Sequence, residues 1–97
     1  VGQAALDGGV RDLGPVLGRQ HIGVDAVEAG GLRAPASPGR PGRSTLLQAY
    51  REKPQLRRGV DTAEVADAAV FLLGQAARGI SGEVLMVDSG FHIMGGA

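Results

Sequence analysis

The 97-residue chain contains no cysteine, carries no net charge and has no long apolar run, and each absence excludes a class of protein. Without cysteine there is no disulfide, no thiolate nucleophile and no cysteine-based zinc site, which argues against a stapled secreted domain and for a cytoplasmic one. Ten Lys and Arg balance ten Asp and Glu. That balance lacks the basic excess that nucleic acid or an anionic membrane rewards, so neither is expected as a partner. No segment approaches the roughly 20 apolar residues of a membrane helix, and no charged stretch precedes an apolar signal core. Also missing are a G-x-G-x-x-G fingerprint, a Walker A pattern and a pair of histidines at ligand spacing, since His21 and His92 stand far apart. No metal site is expected.

Glycine and proline, by contrast, are abundant, with 17 and 5 copies, nearly twice their average share. The length lies below the usual span of a single domain and excludes a multidomain enzyme, while Leu, Ile, Val and Phe form about a quarter of the chain, enough for a modest core. The chain begins at Val1 rather than Met, which fits a processed chain or a piece of a longer one.

Leu6, Val10, Leu13 and Leu17 recur at spacings of four, three and four, the mark of one helical face. Gly8, Gly9, Gly14 and Pro15 oppose that helix, which therefore either draws tertiary support or breaks near Gly14. Residues 21–27, with Ile22, Val24 and Ala26 or Val27, read as a buried strand. Residues 28–43 have loop composition, and a loop of that length is usually functional or mobile. A short helix is expected over 44–53, stopped by Pro54. The strongest helix starts at Asp61, where Glu64 completes a capping-box spacing, and its apolar stripe of Val65, Ala68, Ala69, Leu72 and Ala76 runs on toward Gly79. Residues 83–87 form a second apolar strand after the Ile80-Ser81-Gly82 turn. Helix, strand, long loop, two helices and strand make half of a doubly wound α/β sheet, with no internal repeat.

Few side chains suggest chemistry on their own. Gly30 and Gly31 open the long loop after a strand, either as a plain turn or to let backbone approach a bound cofactor. Tyr50, the only tyrosine, reads more readily as an amphipathic surface residue than as a catalytic phenol, which would need a nearby cation. Asp88, before Ser89 and Gly90, reads as a turn-forming carboxylate. Arg57 and Arg58 suit either an anionic partner or an ordinary salt bridge.

Four segments carry a family resemblance: LGRQHIGVDAVEAGGLRA (17–34), LRRGV (56–60), EVADAAVFL (64–72) and GISGEVLMVDSGFHIMG (79–95). In order and spacing they resemble the C-terminal part of bacterial enoyl-acyl-carrier-protein reductases, across essentially the whole chain. The ending built on Gly79, Ile80, Ser81, Gly82, Val87, Asp88 and Gly90 is shared by the wider short-chain dehydrogenase superfamily. Leu56-Arg57-Arg58, the Ala29-Gly30-Gly31-Leu32-Arg33 loop and Phe91, Ile93 and Met94 point to the enoyl reductase branch.

The resemblance implies an α/β fold, with residues 1–97 as the C-terminal segment of one NAD(P)-binding Rossmann-type domain whose N-terminal cofactor half and catalytic tyrosine lie outside the chain. It implies NADH-dependent reduction of a trans-2-enoyl thioester held on acyl carrier protein, in fatty acid synthesis, by a homotetramer. It places Leu32, Arg33 and Ala36 on the cofactor side. The family's catalytic lysine aligns with Gln3, which has no positive charge to hold the ribose or assist the tyrosine. This chain alone is therefore expected to be inactive. Further departures are Val24-Asp25-Ala26, which puts a carboxylate on a buried strand where the family has Asn, and Gly31 and Ala34, where the loop has Pro and Thr. Arg40 and Arg43 fall where the acyl pocket has apolar walls. Two rival readings stay open: a fragment of another short-chain dehydrogenase, such as a 3-oxoacyl reductase, and a non-catalytic oligomerisation or interaction fragment using the 61–78 helix and the last strand.

Overall fold

A computed structural model describes residues 2–31 and 52–94. The first helix, α1 (Gly2–Gly18), carries the four-three-four stripe and runs through Gly14 and Pro15 without a break. Of the two alternatives for this segment, continuity holds, with Val10 buried at 5% exposure. The helix closes in a Schellman turn: the His21 N–H donates to Gly18 O at 2.9 Å and the Ile22 N–H to Leu17 O at 3.1 Å. His21 occupies the left-handed position of that turn, with φ 63°.

That turn explains why the first strand starts later than its composition predicts. Expected over 21–27, β1 spans Ala26–Ala29, because His21 and Ile22 are spent on closing α1. Before the strand, the Val24 N–H donates to Ser81 Oγ at 3.1 Å, Gly82 donates to Val24 O at 2.8 Å, and Glu83 N–H donates to Asp25 Oδ1 at 2.9 Å. The expectation of a carboxylate on a buried strand is thus corrected. Asp25 sits half-exposed just ahead of β1, and its charge is met by a backbone donor.

The second strand, β2 (Val84–Val87), begins one residue after the expected start. Ala26 N–H donates to Glu83 O at 2.8 Å and Gly30 N–H to Val87 O at 2.9 Å. Both partners advance by four residues, so the two-stranded sheet is parallel. This α/β arrangement agrees with the expected fold class. No residue of β2 is fully buried.

The second described helix, α2 (Thr62–Leu73), starts where Asp61 and Glu64 predict. Asp61 O accepts from the N–H groups of Glu64 and Val65, and Glu64 Oε1 accepts a long 3.4 Å bond from the Asp61 N–H. The glutamate bond of a capping box is thus present, while Asp61 Oδ1 is buried without a partner. The helix stops at Leu73 rather than running on toward Gly79. Gly74 turns extended, with φ −92° and ψ 173°, and a short 3-10 turn follows at Gln75–Ala77. Val65, Ala68, Ala69 and Leu72 are half-buried and Ala76 is exposed.

The chain divides into two compact units, Val1–Glu28 with Asp67–Leu85, and Ala29–Ala66 with Met86–Ala97. In the first, Val10, Ala26 and Ala77 are the buried apolar residues, and two open apolar clefts border β1. In the second, Val60 and Pro54 are fully buried, and the Val60 N–H donates to Gly31 O at 3.1 Å. The 44–53 helix, Tyr50 included, lies outside the described residues except for Glu52 and Lys53, as does the loop from Leu32 to Arg43. Among the described residues, no helix is long and apolar enough to cross a membrane.

Candidate functional site

Ligands of open parallel sheets bind beyond the carboxyl ends of the strands. Here those ends deliver Gly30 and Asp88 side by side. A Cβ on Gly30 would lie 2.5 Å from Asp88 Cβ and 2.8 Å from its Cα, so this position admits only glycine. The close approach seen at Gly30, among the described residues, is to the neighbouring strand end. Gly90, at φ 82°, faces a similar constraint from Gln55 Cβ at 2.7 Å.

Asp88 is 7% exposed and fully engaged. Its Oδ1 accepts the Gly90 N–H and its Oδ2 the His92 N–H, each at 3.0 Å, while His92 Nδ1 stands 2.8 Å from Oδ2 and 3.0 Å from Oδ1. The turn-forming reading of Asp88 matches this geometry. His92 extends it, and its i,i+4 spacing was the available sequence signal. Ser89, at φ 58°, lies between them with its Oγ buried and unbonded, so Asp88, His92 and Ser89 do not form a nucleophile and base pair.

Next along the same unit, Arg58 grips Glu64 with both nitrogens, at 2.7 and 3.0 Å. Of the alternatives for the arginine pair, Arg58 takes the salt bridge. Its hydrogen bonds hold the Glu64 carboxyl down to about 2, with the Asp61 N–H adding to the effect and partial desolvation opposing it. Glu64 in turn raises the Arg58 pKa. Arg57 is exposed at φ 58°, and its N–H donates to Pro54 O at 2.8 Å.

The residues expected on the cofactor side, Leu32, Arg33 and Ala36, lie outside the described residues. Gln3 stands in the first turn of α1. Among the described residues, the polar groups of Asp88, His92, Arg58 and Glu64 are committed to one another. By themselves they do not make a dinucleotide site, and no catalytic step follows from them.

The sequence model of the family described as enoyl-(acyl carrier protein) reductase matches residues 1–92. The enoyl-acyl-carrier-protein reductase (NADH) FabI of Bacillus cereus is 40% identical over 95 residues, covering 98% of this chain and 37% of its own length. The NADPH enzyme of Staphylococcus aureus strain MRSA252 is 39% identical over 92 residues, covering 95% and 36%. The crystal structure of the Anaplasma phagocytophilum reductase in complex with NAD superposes with a TM-score of 0.87 at 38% identity, over 96% of this chain and 36% of that one. The chain therefore spans a little over a third of the relatives it matches. With that family model matching nearly the whole chain, it belongs to the enoyl-(acyl carrier protein) reductase family.

Proposed function

We propose that these residues are the C-terminal segment of a single NAD(P)-binding Rossmann domain whose whole form is an enoyl-acyl-carrier-protein reductase. In that reaction NADH supplies a hydride to the β-carbon of a trans-2-enoyl thioester on acyl carrier protein, a proton adds at the α-carbon, and the double bond becomes single. The observation that supports this reading is the family match across residues 1–92. Leu32, Arg33 and Ala36 are proposed for the cofactor side, with Leu32 offering backbone to the nicotinamide carboxamide. A cytoplasmic homotetramer is proposed for the whole protein.

Gln3 is the weak point of the chemistry. A neutral amide cannot supply the charge that a lysine would place beside the ribose and the reacting proton. The 97-residue chain, given NADH and crotonyl-acyl carrier protein, is expected to oxidise no NADH above background. Replacing the matching segment of the Bacillus cereus relative by this chain tests the reading directly. The chimera should be slow, and Gln3→Lys should raise its rate at least about tenfold, which corresponds to about 1.4 kcal/mol of barrier. A Gln3→Lys chimera that binds NADH but reduces no enoyl thioester would overturn the proposal.

A further inference from the structure

The second unit holds a strap across the chain exits of both strands. Residues 54–60 make it, folded by a turn in which the Arg57 N–H donates to Pro54 O at 2.8 Å. The Leu56 N–H donates to Ser89 O at 3.0 Å, and the Val60 N–H donates to Gly31 O at 3.1 Å. Gly31 follows β1 after Gly30, and Ser89 follows β2 after Asp88, so one short segment ties down both exits. Pro54 and Val60, at the two ends of the strap, are fully buried.

Between these anchors the strap follows a costly path. Arg57 takes the left-handed backbone at φ 58°, which a residue with a side chain seldom adopts. Such a conformation persists where its surroundings over-determine it. Arg58, the next residue, supplies the anchor to α2: its two terminal nitrogens donate to Glu64 Oε1 and Oε2 at 2.7 and 3.0 Å, and Nη1 also donates to Gly59 O at 3.2 Å. Glu64 stands in the first turn of α2. The two side chains are 39% and 34% exposed. An ion pair that open to solvent adds little to stability. Its effect on geometry is larger, since a planar fork fixes direction as well as distance.

We propose that Arg58 is a positioning residue for the dinucleotide of the whole reductase, holding the strap through Glu64 so that Val60 fixes the path of the chain leaving β1 at Gly31. The place of action follows from the topology, because ligands of open parallel sheets bind beyond the carboxyl ends of the strands. There Gly30 is fitted against Asp88 and Gly90 against Gln55 of the strap, so a shift of the strap carries the strand exits with it. Arg58 is committed to Glu64 and Gly59 O and acts through the backbone rather than as a counter-charge. The proposal rests on the reductase reading above.

The test uses the Gln3→Lys chimera and reads NADH binding by fluorescence titration, steady-state kinetics and amide exchange at Val60. Arg58→Gln should raise the NADH dissociation constant and KM at least about tenfold with kcat within about twofold, the pattern of lost uniform binding. Exchange at the Val60 N–H should quicken at least about tenfold, because its bond to Gly31 O opens more often. Arg58→Lys keeps the charge but loses the fork, and should recover part of the affinity. Arg57→Gln removes the neighbouring exposed charge and should change neither reading. Positioning by Arg58 is overturned if Arg58→Gln frees the Val60 N–H without weakening NADH binding, if it weakens binding with Val60 still protected, if Arg57→Gln weakens binding equally, or if the chimera takes up no NADH. A chimera that binds NADH but reduces no enoyl thioester sinks the proposed reaction alone, since the dissociation constant still reads the strap.

Discussion

Glu64 shows how one carboxylate can read plainly in sequence and still act differently in the fold. Its spacing from Asp61 predicts a capping box, yet its principal partner is Arg58, six residues upstream, through two short bonds. Guanidinium and carboxylate match as planar forks, and such charge-assisted pairs outcompete a single backbone N–H. The consequence is a pH dependence of definite sign. Glu64 falls from an ordinary 4.5 to about 2 in the folded chain, so its contribution to stability is fully present above the ordinary carboxylate range. That contribution is lost as pH drops through the folded value, while Arg58 stays charged throughout. A carboxyl-carbon NMR titration should place the Glu64 midpoint near 2, and Arg58→Gln should return it toward 4.5. A midpoint near 4.5 in the unaltered chain would show that the two-bond grip does not persist in solution.

At the scale of the element, α1 sets a legible stripe against resisting residues. The stripe predicts the helix, and burial of Val10 supplies the support that Gly8, Gly14 and Pro15 withhold. Pro15 removes the bond to the Arg11 carbonyl, a defect worth about 3 kcal/mol against Ala in a helix interior and less this near the end. A Cβ at Gly8 or Gly14 meets nothing within 4 Å, so each Gly→Ala change should stabilise by about 0.5 to 1 kcal/mol. Pro15→Ala should add about 1 to 3 kcal/mol. Gly23→Ala should do the reverse, because its Cβ would press on Ile80 O at 3.1 Å. Urea midpoints from far-UV circular dichroism separate these outcomes, and a Gly8→Ala midpoint below that of the parent would refute the account. Other boundaries escaped periodicity for local reasons. Ile22 looks like strand but serves the helix stop, and the α2 stripe continues past Gly74, where the backbone turns extended.

For the molecule as a whole, fold class and family were legible in ordered motifs, because Gly30, Arg58, Gly82, Asp88 and Gly90 are each required by backbone geometry or pairing. The site was less legible: the Asp88–His92 pair joins residues that say little singly, and Asp25 finds its donor 58 positions away. What motif reading does not reveal is how little the described parts bury. Val10, Ala26 and Ala77 in one unit and Val60 and Pro54 in the other are the fully covered apolar residues, while α2 has none. Burial of a large apolar side chain contributes about 1.5 to 3 kcal/mol, against about 1 to 2 kcal/mol of backbone entropy for every residue ordered. Meanwhile Val16, Val70 and Leu73 remain 60%, 68% and 88% exposed. A small exposed area change on unfolding means a shallow response to denaturant. The chain by itself should therefore unfold in urea over a broad range, with a slope below about 1 kcal/mol per molar, the lower end for small proteins. Tertiary signals and helix content should fade together over that range, because α1 depends on the burial of Val10 and the packing that supplies it is thin. A single steep transition would contradict this, and would mean that these residues form a self-sufficient domain.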